Sequence, residues 1–176
     1  MYRDVEDRQV GLIAQADYFW DDLTQEERNV VTRYTASDEL DLNRASRGIE
    51  DMTDERSDEM DRLSNVLEKA PKYTGGSVYR CINLPSEEQF NLLKDNLSNS
   101  IFGLKGFNST SVSMDSARQY ANPKADCKIM FHVVRNRSVA FIGQHSWINT
   151  DKEVLFDRKC KFRALRRGNR YIKENV

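Results

Sequence analysis

Three short stretches hold residue types able to do chemistry. Near the end of the chain, Asp151-x-Glu153 leads into Val154-Leu155-Phe156. Read as an extended strand, the acids at i and i+2 share one face, while Val154 and Phe156 lie on the other. A carboxylate is rare inside an apolar strand unless it has a partner or a task. Two acids can divide one: the first stabilises a developing positive charge on a sugar-like centre, and the second activates an incoming nucleophile. The second stretch is Val78-Tyr79-Arg80-Cys81-Ile82, where an arginine between apolar strand residues calls for an anion. Its planar fork fits a phosphate or carboxylate in bidentate fashion. The third is Ser109-Thr110-Ser111, which places Ser109 and Ser111 on one face and Thr110 on the other. Small hydroxyls orient a carboxylate and leave room for a ligand. Each stretch also has a plainer reading: an exposed acidic turn, a structural ion pair between Arg80 and Glu153, or hydroxyls at a strand end.

The elements that must position these residues change character along the chain. The first seventy residues read as helices. Val10, Ile13, Ala14, Tyr18 and Trp20 suggest a short amphipathic helix. Thr24-Gln25-Glu26-Glu27 is a capping box that starts the next, and Met60, Leu63, Val66, Leu67 and Ala70 stripe a helix from about Thr53 to Ala70. The polar segment from Ala36 to Asp51 shows no definite periodicity. Pro71 stops the helical part and Gly75-Gly76 opens a turn. Beyond it, strands are expected at Ser77–Ile82, Phe107–Val112, Lys128–Val134, Val139–Ile142, Glu153–Phe156 and Lys161–Leu165, with Tyr171-Ile172 as a further candidate. Two helices interrupt them, one capped by Ser86-Glu87-Glu88-Gln89 and one over Met114–Ala121. Helices first and strands later argue an α+β fold, with a mainly antiparallel sheet or two packed sheets.

Composition narrows the classes. With 176 residues, 39% hydrophobic and 31% charged, the chain suits one globular domain with a charged surface. No apolar run approaches the ~20 residues needed to span a bilayer, and the N-terminus lacks the apolar core of a signal peptide. A cytoplasmic setting with reduced, buried thiols is expected for Cys81, Cys127 and Cys160, which are odd in number and lack metal-ligand spacing. Export without a cleavable signal stays open. The net charge of −1 conceals an asymmetry: residues 1–70 hold 19 acidic and nine basic side chains, residues 71–176 nine acidic and 18 basic. A basic half suits an anionic ligand; the simpler reading is that the helices carry solvated acids. Eight basic residues between Arg158 and Lys173 could contact nucleic acid through phosphates, but a solvated edge hairpin is the favoured expectation. His132 and His145 have no metal partners and are expected to be structural or exposed.

Taken in order, Val78-Tyr79-Arg80, then Gly106-Phe107-x-Ser109-Thr110-Ser111-x-Ser113, then acid-x-Glu153-Val154-Leu155-Phe156 resembles the Arg-Ser-Glu class of mono-ADP-ribosyltransferases. That class includes the enzymatic components of clostridial binary toxins and related phage enzymes. Leu23-Thr24-x-Glu26-Glu27 leading to Tyr34-Thr35, Leu42-Asn43-Arg44, and Ser113-x-x-x-Ala117-x-x-Tyr120-Ala121 are similar to further segments of such enzymes. The likeness runs from about Asp17 to Leu165. It implies one domain over residues 1–176, with a helical part to residue 70 and an NAD-binding, two-sheet β core from residue 71. NAD would be the substrate and no metal is implied. Arg80 would bind an NAD phosphate, and the Cys81 backbone would meet the nicotinamide carboxamide. Ser109 would hydrogen-bond Glu153, with Thr110 and Ser111 shaping the pocket and Tyr120 lying against the nicotinamide. Glu153 would hold the ribose 2′-hydroxyl and favour the oxocarbenium-like state, while Asp151 would orient and deprotonate the acceptor. The first acid position in this class is usually Glu or Gln. Asp151 keeps the charge that favours arginine, one methylene shorter. The loop Gly143–Thr150 would recognise a protein acceptor, with Trp147 its contact. The activity implied is transfer of ADP-ribose from NAD to a protein side chain, with arginine the favoured acceptor; an NAD glycohydrolase and a non-catalytic binding module on the same fold are the alternatives.

Overall fold

The structure, a computed structural model, describes residues 3–84, 86–97, 101–119, 127–136, 139–143, 145, 153–167 and 170–175. Helix α1 (Arg3–Asp22) is longer than the short helix its apolar residues suggested. Thr24 then caps α2 (Gln25–Arg33) through the full reciprocal box: its hydroxyl accepts from Glu27 N, and the Glu27 carboxylate accepts from Thr24 N. One wide π-type turn (Tyr34–Asp38) leads into α3 (Glu39–Ser46), in the segment where the sequence shows no definite period. Its apolar face is only Leu42 and Ala45 among the described side chains, so tertiary burial rather than a stripe defines it. Helix α4 (Asp54–Lys69) starts at Thr53, whose hydroxyl accepts from Arg56 N, and buries Met60, Leu63, Val66 and Leu67.

Strand β1 (Val78–Leu84), helix α5 (Glu87–Leu97), strands β2 (Ile101–Gly103) and β3 (Asn108–Ser111), helix α6 (Met114–Gln119), and strands β4 (Cys127–Arg135), β5 (Ala140–Gly143), β6 (Glu153–Phe156), β7 (Lys161–Arg167) and β8 (Arg170–Asn175) follow. Their pairing order is β2-β7-β8-β4-β1-β3-β6-β5, antiparallel except for the β4–β8 pair. Strands β1 and β3 share one register pair, Tyr79 with Ser111. The order therefore divides there into two sheets, β2-β7-β8-β4-β1 and β3-β6-β5, and the architecture is α+β with a mainly antiparallel two-sheet core.

The smaller sheet is buried on both faces. Leu155, Ala140 and Ile142 pack with Phe107 against the helices, beside Leu63 and Leu67. Val154, Phe156 and Phe141 turn the other way, toward Val78, Val133 and Phe162 of the larger sheet. This explains the unbroken apolar run after Glu153: a strand covered on both sides has no polar face to show.

The expectation for the basic tail is overturned. The basic β7–β8 segment is not a solvated edge hairpin, because β7 also pairs with β2, and β8 also pairs with β4. Charge pattern reports solvent exposure of side chains, not which backbone edges are free. Several acids of the helical part pair with basic neighbours, as in Arg33–Glu59, Arg62–Glu26 and Lys69–Glu27. Cys81 and Cys160 are in no disulfide among the described residues, and both are half-buried rather than buried. No helix among the described residues is long and apolar enough to cross a membrane.

Candidate active site

Cross-strand register builds the site. Ser111 lies directly opposite Glu153, and Ser109 opposite Leu155. Partners across an antiparallel pair share a face, so Ser109, Ser111 and Glu153 point to the helical side together. Ser111 is buried; its Oγ accepts from Ser113 N at 3.0 Å, and the hydroxyl keeps its own proton to donate. Ser113 Oγ in turn accepts from Ser116 N at 3.3 Å and caps α6. Thr110 occupies the opposite face, 7% exposed, and its Oγ1 donates to Val154 O at 2.8 Å. That hydroxyl clamps β3 to β6 one residue from the carboxylate.

Arg80 stands where the two sheets part. Past the Tyr79–Ser111 pair the strands diverge, and the carbonyl of Ser109 loses its place in the β1 ladder. The Arg80 guanidinium enters this fork, and its Nη1 donates to Ser109 O at 2.5 Å. Guanidinium and hydroxyl strand are thus in contact, and the hydroxyl strand is paired with the carboxylate strand. Cys81 follows Arg80 on β1, half-buried. Asp151, Tyr120 and Trp147 lie outside the described residues.

Two groups of residues that sequence reasoning did not place at the site support it. Asn43 on α3, 3% exposed, accepts from Phe107 N through Oδ1 at 2.7 Å and donates from Nδ2 to the Tyr34 hydroxyl at 3.2 Å. Gly106 has φ +91°, and a Cβ there would sit 2.3 Å from Asn43 Oδ1. Glycine is required on both counts. This buried amide fastens the entry of β3 to the helical layer. Its sequence signal was the Leu42-Asn43-Arg44 segment, similar to a segment of the Arg-Ser-Glu class. The second group is Tyr79 and His132, whose rings stack at 4.8 Å with 20° between planes. By register, His132, Tyr79, Ser111 and Glu153 form one transverse row over β4, β1, β3 and β6. His145 stacks on Trp20. Among the described residues, no three His, Cys, Asp or Glu side chains gather as metal ligands.

Residues 13–175 match the sequence profile of the ADP-ribosyltransferase exoenzyme family. The chain belongs to that family. An ADP-ribosyltransferase exoenzyme of this Arg-Ser-Glu class takes NAD as its substrate, transfers ADP-ribose to a protein and releases nicotinamide. Solved structures agree on the fold. The Vis toxin of Vibrio splendidus superposes with a TM-score of 0.72 at 21% identity, covering 99% of this chain and 84% of its own. Plx2a of Paenibacillus larvae gives 0.68 at 16%, covering 98% and 96%. The C3 exoenzyme of Clostridium limosum gives 0.70 at 14%, covering 98% and 94%. No curated protein sequence matches the chain.

The described residues fit NAD. A dianionic diphosphate needs a fork of N–H donors, a residue type present in Arg80, whose Nη1 donates to Ser109 O at the parting of the sheets. A ribose that turns cationic as its base leaves needs a carboxylate nearby, and Glu153 stands at the start of β6, opposite Ser111 by register.

Proposed function

We propose that this transferase modifies arginine side chains of a protein in the cytoplasm of a host or target cell, through Arg80, Ser109, Asp151 and Glu153, within one domain. Arg80 grips an NAD phosphate, and the Cys81 backbone meets the nicotinamide carboxamide. Ser109 orients Glu153, with Thr110 and Ser111 shaping the wall and Tyr120 lying against the nicotinamide. As the C1′–N bond breaks, its electron pair leaves with neutral nicotinamide, and Glu153 stabilises the oxocarbenium-like ribose while holding its 2′-hydroxyl. A guanidino nitrogen of the acceptor then bonds to C1′ and gives its proton to Asp151. Trp147 contacts the acceptor protein.

The observation behind this reading is the register that sets Glu153 against Ser111 while Arg80 bonds the carbonyl of Ser109. For the acceptor, support comes from the charge of Asp151 and from a neighbour of the same fold: Vis was crystallised with agmatine, whose guanidinium is that of arginine. The test is incubation with labelled NAD and cell lysate, followed by mass spectrometry of the labelled site. Label on arginine that vanishes in E153Q is the expected result. Nicotinamide release with no labelled acceptor from any plausible host would instead make the protein an NAD glycohydrolase. A biological effect that survives E153Q would make it a binding module.

A further inference from the structure

Helix α1 meets the end of β5 beside the carboxylate. Gly143 is the register partner of Glu153, and the chain turns just beyond it, with His145 N donating to Ile142 O at 3.1 Å. The ring of His145 lies flat on Trp20 of α1, centroids 4.4 Å apart and planes 4° from parallel. Its Nε2 is 3.0 Å from Asp17 Oδ1. A carboxylate can only accept, which assigns the proton to Nε2. The His145 side chain is 17% exposed against 41% for Asp17, so the contact is shielded from one side. Helix α1 is itself anchored: Ala16 is buried, and Phe19 and Trp20 pack against the helical core. Two residues from the strand partner of Glu153, the backbone is thus tied to the helical layer by a stack and a hydrogen bond.

We propose that His145, held by Asp17 and Trp20, is a positioning residue for the acceptor half of the reaction. It fixes where the chain leaves β5, and so the side of the cleft from which the acceptor reaches the ribose C1′ beside Glu153. This rests on the arginine reading above and goes beyond it. Breaking the glycosidic bond requires NAD and the carboxylate; water, small and abundant, completes hydrolysis from many directions. A guanidino group must arrive in line, and a displacement of about 1 Å costs roughly 10²-fold. Loosening the tie therefore slows transfer while leaving hydrolysis nearly alone, and a merely structural role would lower both together.

The experiment measures two rates in the full chain: labelling of agmatine, and nicotinamide release in its absence. H145A is expected to lower agmatine labelling about tenfold or more, with release to water within about twofold of wild type. H145F keeps the stack and D17N keeps the shape, so each retains part of the tie and should fall between. Melting curves identify any variant that fails to fold, and the two milder variants then carry the test. A labelling-to-release ratio unchanged in H145A, H145F and D17N, whether both rates fall or neither does, overturns the proposal alone. Wild-type protein that releases nicotinamide but never labels agmatine sinks the arginine reading, and this proposal with it.

Discussion

The carboxylate strand and the arginine strand are built into the fold differently. On the carboxylate side, β3, β6 and β5 lie between the helices and the larger sheet, and Val154, Leu155 and Phe156 are completely buried. Polar clamps back them, Thr110 to Val154 O and Asn43 to Phe107 N. On the guanidinium side, β1 joins the smaller sheet through one register pair, and Arg80, Cys81 and Ile82 are only half-buried. The neighbouring His132 has a buried Nε2 with no hydrogen-bond partner among the described residues. A group that stabilises developing charge must be fixed before the reaction, since reorganisation would consume its benefit. A group that grips an incoming phosphate can settle as the ligand arrives. With the roles proposed for Glu153 and Arg80, the brace would stand where the chemistry tolerates least movement.

That contrast can be broken or sharpened in order of effect. E153Q removes the charge and keeps the shape, so kcat should fall ~10²–10³-fold while the melting temperature stays put. A fall in stability instead would mean the carboxylate braces the sheet. L155A should lose ~2–5 kcal/mol in urea unfolding, and I82A on the half-buried side clearly less; equal losses would erase the distinction between the two sides. N43A orphans the Phe107 N–H and should cost ~1–3 kcal/mol, lowering kcat with little change in KM for NAD. R80K keeps charge but loses the fork, so KM for NAD should rise about tenfold, or ~1.4 kcal/mol, with kcat less affected. The smallest effect lies away from the cleft. Glu27 is held at about 2, below its usual 4.5, by the Thr24 N–H first and then by Lys69 and the Thr24 hydroxyl. Its contribution to stability is thus complete above about 4.5 and fades as pH drops toward 2. Melting temperatures scanned over that range should show this slope in wild type and not in E27Q.

What could be read without coordinates was whatever local chemistry encodes. The capping box at Thr24, the helix from about Thr53 and strand β6 fall where they were expected, because a hydroxyl facing an amide, an apolar stripe and a doubly buried strand leave signatures in neighbouring residues. Arg80, Ser109, Ser111 and Glu153 were legible as chemistry, and the ladder brings their strands together. Strand β2 was missed, since Ile101-Phe102-Gly103 is too short to show alternation and exists by pairing with β7. Helix α3 was hidden because its burial comes from partners far along the chain. The Asn43 clamp joins residues 64 apart, a contact no local window contains. The β7–β8 error has the same origin: backbone neighbours are set by topology, and a run of arginines is silent about it.

The placement of β8 has a bearing on how the molecule comes together. The last strand in chain order lies between β7 and β4, so until residues 170–175 slot in, β2 and β7 have no hydrogen-bonded route to β1 and Arg80. Its parallel seam with β4 joins segments roughly forty positions apart, a slow, late-forming contact by the entropy of closing such a loop. Without β8, β4-β1-β3-β6-β5 is still one hydrogen-bonded series, so the Arg80 strand and the carboxylate strand can join first while β2 and β7 wait for the last strand to dock them.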